Sequence, residues 1–227
     1  GACILLWDIK HSRTHRLLNG HNKTTLWCLR YSEEGDRIIS GGGGTRIRIW
    51  SAKSGALVRE LHHGDQLNGD VRSLVLSPDA RRIYTAGVNG AILIWDAQLD
   101  RGQNKLGHLE FNPSLIALSP DGKELAFCGH DNTHAIIVYD LNNLKVSREF
   151  VGHERRIVDL TYAAHNNRFV SASEDGTVRT WSTDSEVALR VFSGYNSEPR
   201  SVAVNNQQYV IAAGYYDGII ALWRDTQ

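Results

Sequence analysis

The sequence predicts an all-β chain built from a repeated four-stranded unit, on three observations. Strand-like segments ending in an aromatic residue recur: "ILLWD", "IRIWS", "ILIWD", "IIVYD", "VRTWS" and "IALWR". Their aromatics, Trp7, Trp50, Trp95, Tyr139, Trp181 and Trp223, stand 42 to 45 residues apart, the signature of a structural repeat. A small-residue turn precedes most of them, as in "GGGG" (41–44), "GVNG" (87–90), "SEDG" (173–176) and "YYDG" (215–218). Helical periodicity is absent throughout.

Within each unit the elements follow in a fixed order. An apolar strand runs into a polar turn, as in "LRYSEEGD", "LVLSPDAR" and "IALSPDGK". A second strand leads to the small-residue turn, and a third ends at the aromatic. A loop and a fourth strand complete the unit. In "SGGGGTRIRIW" (40–50) the glycines are not a phosphate-binding loop, because no Gly-Lys-Ser/Thr and no helix follow. They are not a linker either, because both flanks are strand-like. Aligned with "SASEDGTVRTW" (171–181), they form the tight turn between the second and third strands, where glycine supplies positive φ. The alternation Arg46-Ile47-Arg48-Ile49-Trp50 predicts a half-buried strand.

The period, the Gly-His dipeptides (Gly20-His21, Gly107-His108, Gly152-His153), the Ser-Pro-Asp turns (77–79 and 119–121) and the terminal Trp-Asp or its variants together resemble WD40 repeats over essentially the whole chain. The resemblance implies a WD40 β-propeller of four-stranded blades, about five blades plus a partial blade in this chain. The expected division is a partial blade at 1–19, blades at 20–61, 62–106, 107–150 and 151–193, and a three-stranded partial blade at 194–227.

Two closures are open. Residues 13–19 pair beside 219–223 and close five blades, or residues 2–7 and 14–19 pair with each other and the chain is part of a longer propeller. The apolar "CILLWD" (3–8) and the absence of methionine favour the second.

The 227 residues carry 25 basic and 25 acidic side chains, a formal charge of zero. That balance gives no support to a nucleic-acid or membrane partner held by bulk charge. Cys3, Cys28 and Cys128 form no CxxC pair, which points to a reducing compartment and a cytoplasmic location. No apolar run reaches transmembrane length and no signal-peptide pattern opens the chain. Asn22 in "NKT" is then an unmodified glycosylation motif.

His153, Ser171, Asp175 and Trp181 invite a hydrolase reading. The resemblance implies instead a structural tetrad, in which Trp donates to Ser, Ser to His and His to Asp. No nucleophile elbow accompanies Ser171, so no enzyme and no cofactor is expected. Other units keep the set in part. The second has His21, Ser40 and Trp50, with Gly44 in the Asp place. The third has Thr85, Asn89 and Trp95, with His62 or His63 as substitute. The fourth has His108, Asp131 and Tyr139, and the last has Tyr195, Ala213, Asp217 and Trp223. His130, Asp131 and His134 are candidate metal ligands in one loop, too few to close a tetrahedral site, so no metal is expected.

The resemblance also places three positions per blade on the face where partners bind. Here they are Thr25, Trp27 and Gly43; Asp70, Arg72 and Val88; Asn112 and Ser114; Arg156, Val158 and Glu174; Glu198, Arg200 and Tyr216. Trp27, Arg72, Arg156, Arg200 and Tyr216 are of the types that dominate interfaces, and Asp70, Glu174 and Glu198 make the set mixed in charge. The expected function is a non-catalytic scaffold that binds a protein or peptide through this rim. The alternatives are a sensor or substrate-receptor propeller in a signalling ATPase or ubiquitin-ligase assembly, and an RNA-binding propeller. The ligase signature Trp-Asp-x-Arg is missing at Trp7-Asp8-Ile9-Lys10 and Trp95-Asp96-Ala97-Gln98. Arg81-Arg82 and Arg155-Arg156 lack an aromatic stacking platform for RNA.

Overall fold

The computed structural model describes residues 2–21, 24–44, 46–62, 70–87, 91–97, 103–108, 113–129, 134–163, 168–205 and 210–224, with backbone alone at 2, 91, 103–105, 107 and 108. The described residues form twenty-one strands and no helix. They fall into two compact units, Gly1–Glu110 and Phe111–Gln227.

The first unit opens with β1 (Ala2–Asp8) and β2 (Arg13–His21), paired antiparallel. A four-stranded sheet follows from β3 (Leu26–Tyr31), β4 (Arg37–Gly42), β5 (Arg46–Ser51) and β6 (Leu57–His62), each bonded to the next. A second is built in the same way from β7 (Val71–Leu76), β8 (Arg82–Gly87), β9 (Ala91–Asp96) and β10 (Gln103–His108). Ile4, Leu6 and Leu18 of the opening pair pack on Ile38 and Trp50. Ile39, Ile47 and Ile49 pack on Val71, Leu74 and Trp95 of the next sheet. Each sheet is therefore buried against its neighbour.

The second unit repeats the pattern. β11 (Pro113–Leu118), β12 (Glu124–Gly129), β13 (Ile136–Asp140) and β14 (Lys145–Phe150) form one sheet. β15 (Ile157–Tyr162), β16 (Arg168–Ser173), β17 (Val178–Ser182) and β18 (Ser185–Phe192) form the next. β19 (Pro199–Asn205), β20 (Val210–Tyr215) and β21 (Ile220–Arg224) form a three-stranded sheet. Phe150 and Phe169 meet edge-on at 4.9 Å between the first two sheets, and Val170, Ala172 and Val178 pack on Val202, Ile211 and Ala213 between the last two. Residues 14–19 pair with β1, and β21 has β20 as its ladder partner, which is the second of the two pairings weighed from the sequence.

The structure changes two expectations. Gly41 and Gly42 are the last residues of β4, not part of the turn. A Cβ on Gly41 would lie 2.6 Å from the Val71 side chain, and one on Gly42 would lie 2.2 Å from the Thr25 carbonyl oxygen. They are glycines because of close packing, and Gly44, at φ 83°, is the turn residue that uses left-handed backbone. Strand β5 is buried from Ile47 to Trp50, not half-buried, because it lies between β4 and β6 with a neighbour on each face. Arg48 is buried with it and bonds the Glu60 carboxylate at 2.7 Å.

Candidate functional site

The polar chain predicted in the second unit is present. Trp181 Nε1–H donates to Ser171 Oγ at 2.8 Å, and Ser171 Oγ lies 2.7 Å from His153 Nε2. His153 Nδ1 lies 2.7 Å from Asp175 Oδ2. Asp175 only accepts, so His153 carries its proton on Nδ1 and accepts from the Ser171 hydroxyl through Nε2. Burial lowers the His153 pKa against the pull of the carboxylate, which keeps the ring neutral. Burial by itself would raise the Asp175 pKa, but bonds from His153, the Thr177 hydroxyl and the Thr177 backbone outweigh it and hold the carboxyl below its usual range. Gly152 precedes His153 because a Cβ there would come within 3.3 Å of the Trp181 ring and 2.7 Å of the Arg179 guanidinium. Ser171 is 0% exposed and engaged on both sides, so its oxygen is not available as a nucleophile.

The first unit wires the same place differently. Trp50 Nε1–H donates to Ser40 Oγ at 2.8 Å, and Ser40 Oγ lies 2.8 Å from His21 Nε2. With Gly44 in the Asp place, Arg48 Nη1 lies 3.0 Å from His21 Nδ1. A guanidinium only donates, so Nδ1 accepts and the proton sits on Nε2, from which it is donated to Ser40. The Ser40 hydroxyl in turn points at the Arg48 carbonyl, 3.4 Å away. Burial and then the Arg48 charge push the His21 pKa down to about 4. Arg48 matches Arg179, since Ser40 pairs with Arg48 as Ser171 pairs with Arg179. The signal was the second arginine of Arg46-Ile47-Arg48, which reads in sequence as solvent-facing.

Elsewhere the chain is shortened or replaced. Trp95 donates to Thr85 Oγ1 at 2.9 Å, while His62 is exposed on β6 and is no substitute for the buried histidine. His63 and Asn89, like Asp131, His130 and the His108 side chain, lie outside the described residues. Tyr139 pairs with Leu125, and Phe127, fully buried, stands where Ser171 stands in the next sheet. In the last sheet Tyr195 packs against Tyr215 at 4.8 Å and edge-on to Trp223 at 6.0 Å, over a buried Ala213. Aromatic packing there takes the place of the polar chain. Among the described residues no group of three His, Cys, Asp or Glu side chains converges to hold a metal.

The predicted rim positions share a feature that periodicity does not show. Each first strand skips one residue in its pairing: Leu26 pairs with Gly42 and Cys28 with Gly41, leaving Trp27 as a bulge. The same skip falls at Arg72, Ser114, Val158 and Arg200. A bulge re-aims the extra side chain, which is why these residues turn away from the sheet face. A second repeated bond fixes the turn residue beside it. The N–H of Gly43, Glu174 and Tyr216 donates to the carbonyl of Thr25, Arg156 and Glu198, at 2.8, 2.9 and 3.0 Å.

The first unit thereby collects Trp27, Asp70 and Arg72. Trp27 Nε1–H donates to Asp70 Oδ2 at 3.0 Å, and the Arg72 guanidinium lies 3.9 Å over the Trp27 ring. Arg72 also reaches Asp70, at 3.6 Å. The second unit collects Arg156, Glu174, Glu198, Arg200 and Tyr216. Glu174 bonds Arg156 at 2.8 Å and Arg200 at 3.5 Å, while Glu198 bonds Arg200 at 3.2 Å and Arg155 at 3.1 Å. Arg200 sits 5.2 Å over the Tyr216 ring. The arginines are thus tied to neighbouring carboxylates, and the exposed aromatics beside them are Trp27 at 44% and Tyr216 at 76%. Arg155, which joins this network through Glu198 and the Glu174 carbonyl, was not among the predicted positions. Val88 and Asn112 lie outside the described residues.

The family model of the WD domain, G-beta repeat, matches residues 12–51, 55–96, 144–182 and 186–224. The chain belongs to the WD40 family. Each WD40 match begins on the last strand of one sheet and runs through three strands of the next, as 55–96 takes in β6 of one sheet and β7 to β9 of another. The unmatched stretch between 96 and 144 contains Phe127 and Tyr139, where the polar chain is replaced. The chain is 24% identical to the Protein LST8 homolog of Drosophila melanogaster, over 80% of this chain and 59% of that one. It is 27% identical to the Target of rapamycin complex subunit wat1 of Schizosaccharomyces pombe, over 82% of this chain and 58% of that one. It is 27% identical to Transducin-like enhancer protein 2 of Mus musculus, over 76% of this chain and 22% of that one. The chain therefore matches less than two thirds of these relatives' length.

Proposed function

We propose that this WD40 chain is a non-catalytic interaction module, cytoplasmic in location, that binds a protein or peptide through the bulged residues of its first strands and the turn residues beside them. The observation that carries this is the pair of exposed aromatics, Trp27 and Tyr216, each flanked by an arginine held in place by carboxylates. An exposed, pre-positioned aromatic loses little entropy on contact and anchors an interface well. The serine that would make the chain a hydrolase is instead locked in the fold by Trp181 and His153. Relatives that include a target of rapamycin complex subunit support the finer reading of a subunit in a larger signalling assembly. The balance of 25 basic and 25 acidic residues gives the proposal no part for nucleic acid or membrane.

The test is the double variant Trp27→Ala with Arg156→Glu. Capture of partners from cell extract, followed by quantitative mass spectrometry, falls about tenfold or more for hot-spot truncation, while the melting temperature stays close to that of the parent. Unchanged capture by a normally melting double variant would place binding elsewhere on the chain.

A further inference from the structure

A groove of about 440 Å³ opens in the first unit between its two four-stranded sheets, at the ends of the strands away from the bulges. Its walls are the turn Ser32–Arg37 after β3 and the turn Ser77–Ala80 after β7. Leu76 and Pro78 supply apolar wall, over a floor of buried core side chains such as Ile39 and Ile83. The volume falls within the range of about 300–1,000 Å³ usual for binding clefts.

The rim of this groove is acidic. Glu33, Glu34, Asp36 and Asp79 line it, against the single guanidinium of Arg37. Asp36 and Asp79 are fixed by their own turns, since the Ser32 hydroxyl donates to Asp36 Oδ1 at 2.8 Å and the Ser77 hydroxyl to Asp79 Oδ1 at 2.5 Å. Arg37 lies 3.7 Å from Asp36 and offsets that charge, and Arg81 and Arg82 in the same turn as Asp79 offset the Asp79 charge. Glu33 and Glu34 are exposed, with no ion-pair partner among the described residues. The corresponding position in the second unit differs. Tyr162 stands there in place of Leu76, packed 5.5 Å from Phe169, and nearby Glu124 is paired with Arg148 at 3.0 Å. The negative charge left unpaired at the first-unit seam is therefore that of Glu33 and Glu34.

We propose that this groove is a second docking site, independent of the rim reading, for a basic and aliphatic peptide segment of a protein partner. A lysine or arginine lays its methylene stem on Leu76 and Pro78 and brings its cation to Glu33 and Glu34. The two unpaired carboxylates, Glu33 and Glu34, favour a cationic side chain over the phosphates of a nucleic acid. Among the described residues no three ligands converge for a metal ion, which leaves an organic cation as the matching chemistry.

The experiment uses fluorescence anisotropy on the purified chain with a fluorescein-labelled hexapeptide of alternating leucine and arginine, and its twin with glutamate for arginine. The arginine peptide binds saturably and the glutamate twin does not. Glu33→Lys with Glu34→Lys weakens binding about tenfold or more, as loss of two facing charges requires. Glu33→Gln with Glu34→Gln moves it in the same direction by about threefold and gives the same reading should the lysine pair fold poorly. Asp184→Lys with Glu186→Lys, on the second unit, leaves binding unchanged, as does Trp27→Ala. Equal weakening by the Asp184 and Glu186 pair would reduce the effect to general electrostatics and overturn the site. So would an absence of saturable binding, or its loss with Trp27→Ala.

Discussion

His21 and His153 occupy matching places, each after a glycine pressed against a tryptophan ring, yet hydrogen bonds run through them in opposite directions. At His153 the proton sits on Nδ1 and points to Asp175, and at His21 it sits on Nε2 and points to Ser40. Both arrangements give every polar atom of the histidine, serine and tryptophan side chains a partner, which is what burial demands. An arginine stands at the same third-strand position in both sheets. Where the aspartate is present, Arg179 lies 3.8 Å from it, and where it is absent, Arg48 reaches the imidazole itself. The position tolerates the loss of Asp because the fold needs a satisfied imidazole, not one particular partner.

The largest expected effect comes from removing the tryptophan ring at the end of the complete series. Trp181→Ala lowers stability by about 3–5 kcal/mol through the cavity it leaves, whereas Trp181→Phe keeps most of the volume and costs about 1–3 kcal/mol for the lost bond. Urea unfolding measures both, and a Trp181→Phe chain as stable as the parent would show that the indole bond contributes nothing. Next come the histidines. His153→Ala costs about 2–3 kcal/mol because it strips the Asp175 carboxylate of a buried donor, and His21→Ala costs about 1 kcal/mol because Arg48 keeps Glu60. Equal losses would mean that the two wirings are energetically alike.

Acid should act on both places in one direction. Each histidine has a folded pKa below its ordinary value, so its contribution is complete above about pH 6.5 and is lost as the pH falls. For His21 the loss extends down to about pH 4. Asp175, also depressed, adds its own loss below about pH 4, where the unfolded carboxyl takes up a proton. Arg48→Met removes the second cause of the His21 shift, so its pKa rises and less stability is lost between pH 6.5 and 4. A histidine NMR titration reads this directly and also reports the two tautomers. Finding Nδ1–H on His21 would contradict the reversed wiring.

The smallest difference between the units lies in a turn. Gly122 follows Ser-Pro-Asp with φ 72°, and Ala80 follows the same residues with φ 54°. Alanine in that region costs about 1 kcal/mol, so Ala80→Gly should stabilise the chain by about that amount in thermal unfolding. A decrease would show that the Cβ of Ala80 contributes packing worth more than the backbone strain.

The fold was legible because its repeat is written in aromatic spacing and turn residues, both local signals. The complete tetrad was legible for the same reason, since its four residues fall at offsets that the other units echo. What stayed hidden depends on pairing between strands. A bulge at Trp27 is a skipped partner, and no single strand shows it. Arg48 reads as exposed by alternation, because burial on the second face comes from a neighbouring sheet. Phe127 in the serine place is masked by the longer turn after it, which shifts the count back from Tyr139. The charges of Arg156, Glu174 and Arg200 were plain in the sequence, but Arg156 pairs with Glu174 across 18 residues, and a neighbouring pair, Arg155 with Glu198, spans 43.

The half-step between sequence repeat and sheet has a consequence for how such a chain can grow. Because 55–96 supplies the last strand of one sheet and the first three of the next, every repeat boundary falls inside a sheet, not between sheets. Copying one repeat in tandem therefore adds a full complement of strands and leaves no internal edge exposed. A cut between two sheets, by contrast, would separate structures that share no sequence boundary. The chain is overlapped like roof tiles, so its genetic unit can be duplicated or lost one at a time while each interior sheet keeps four strands.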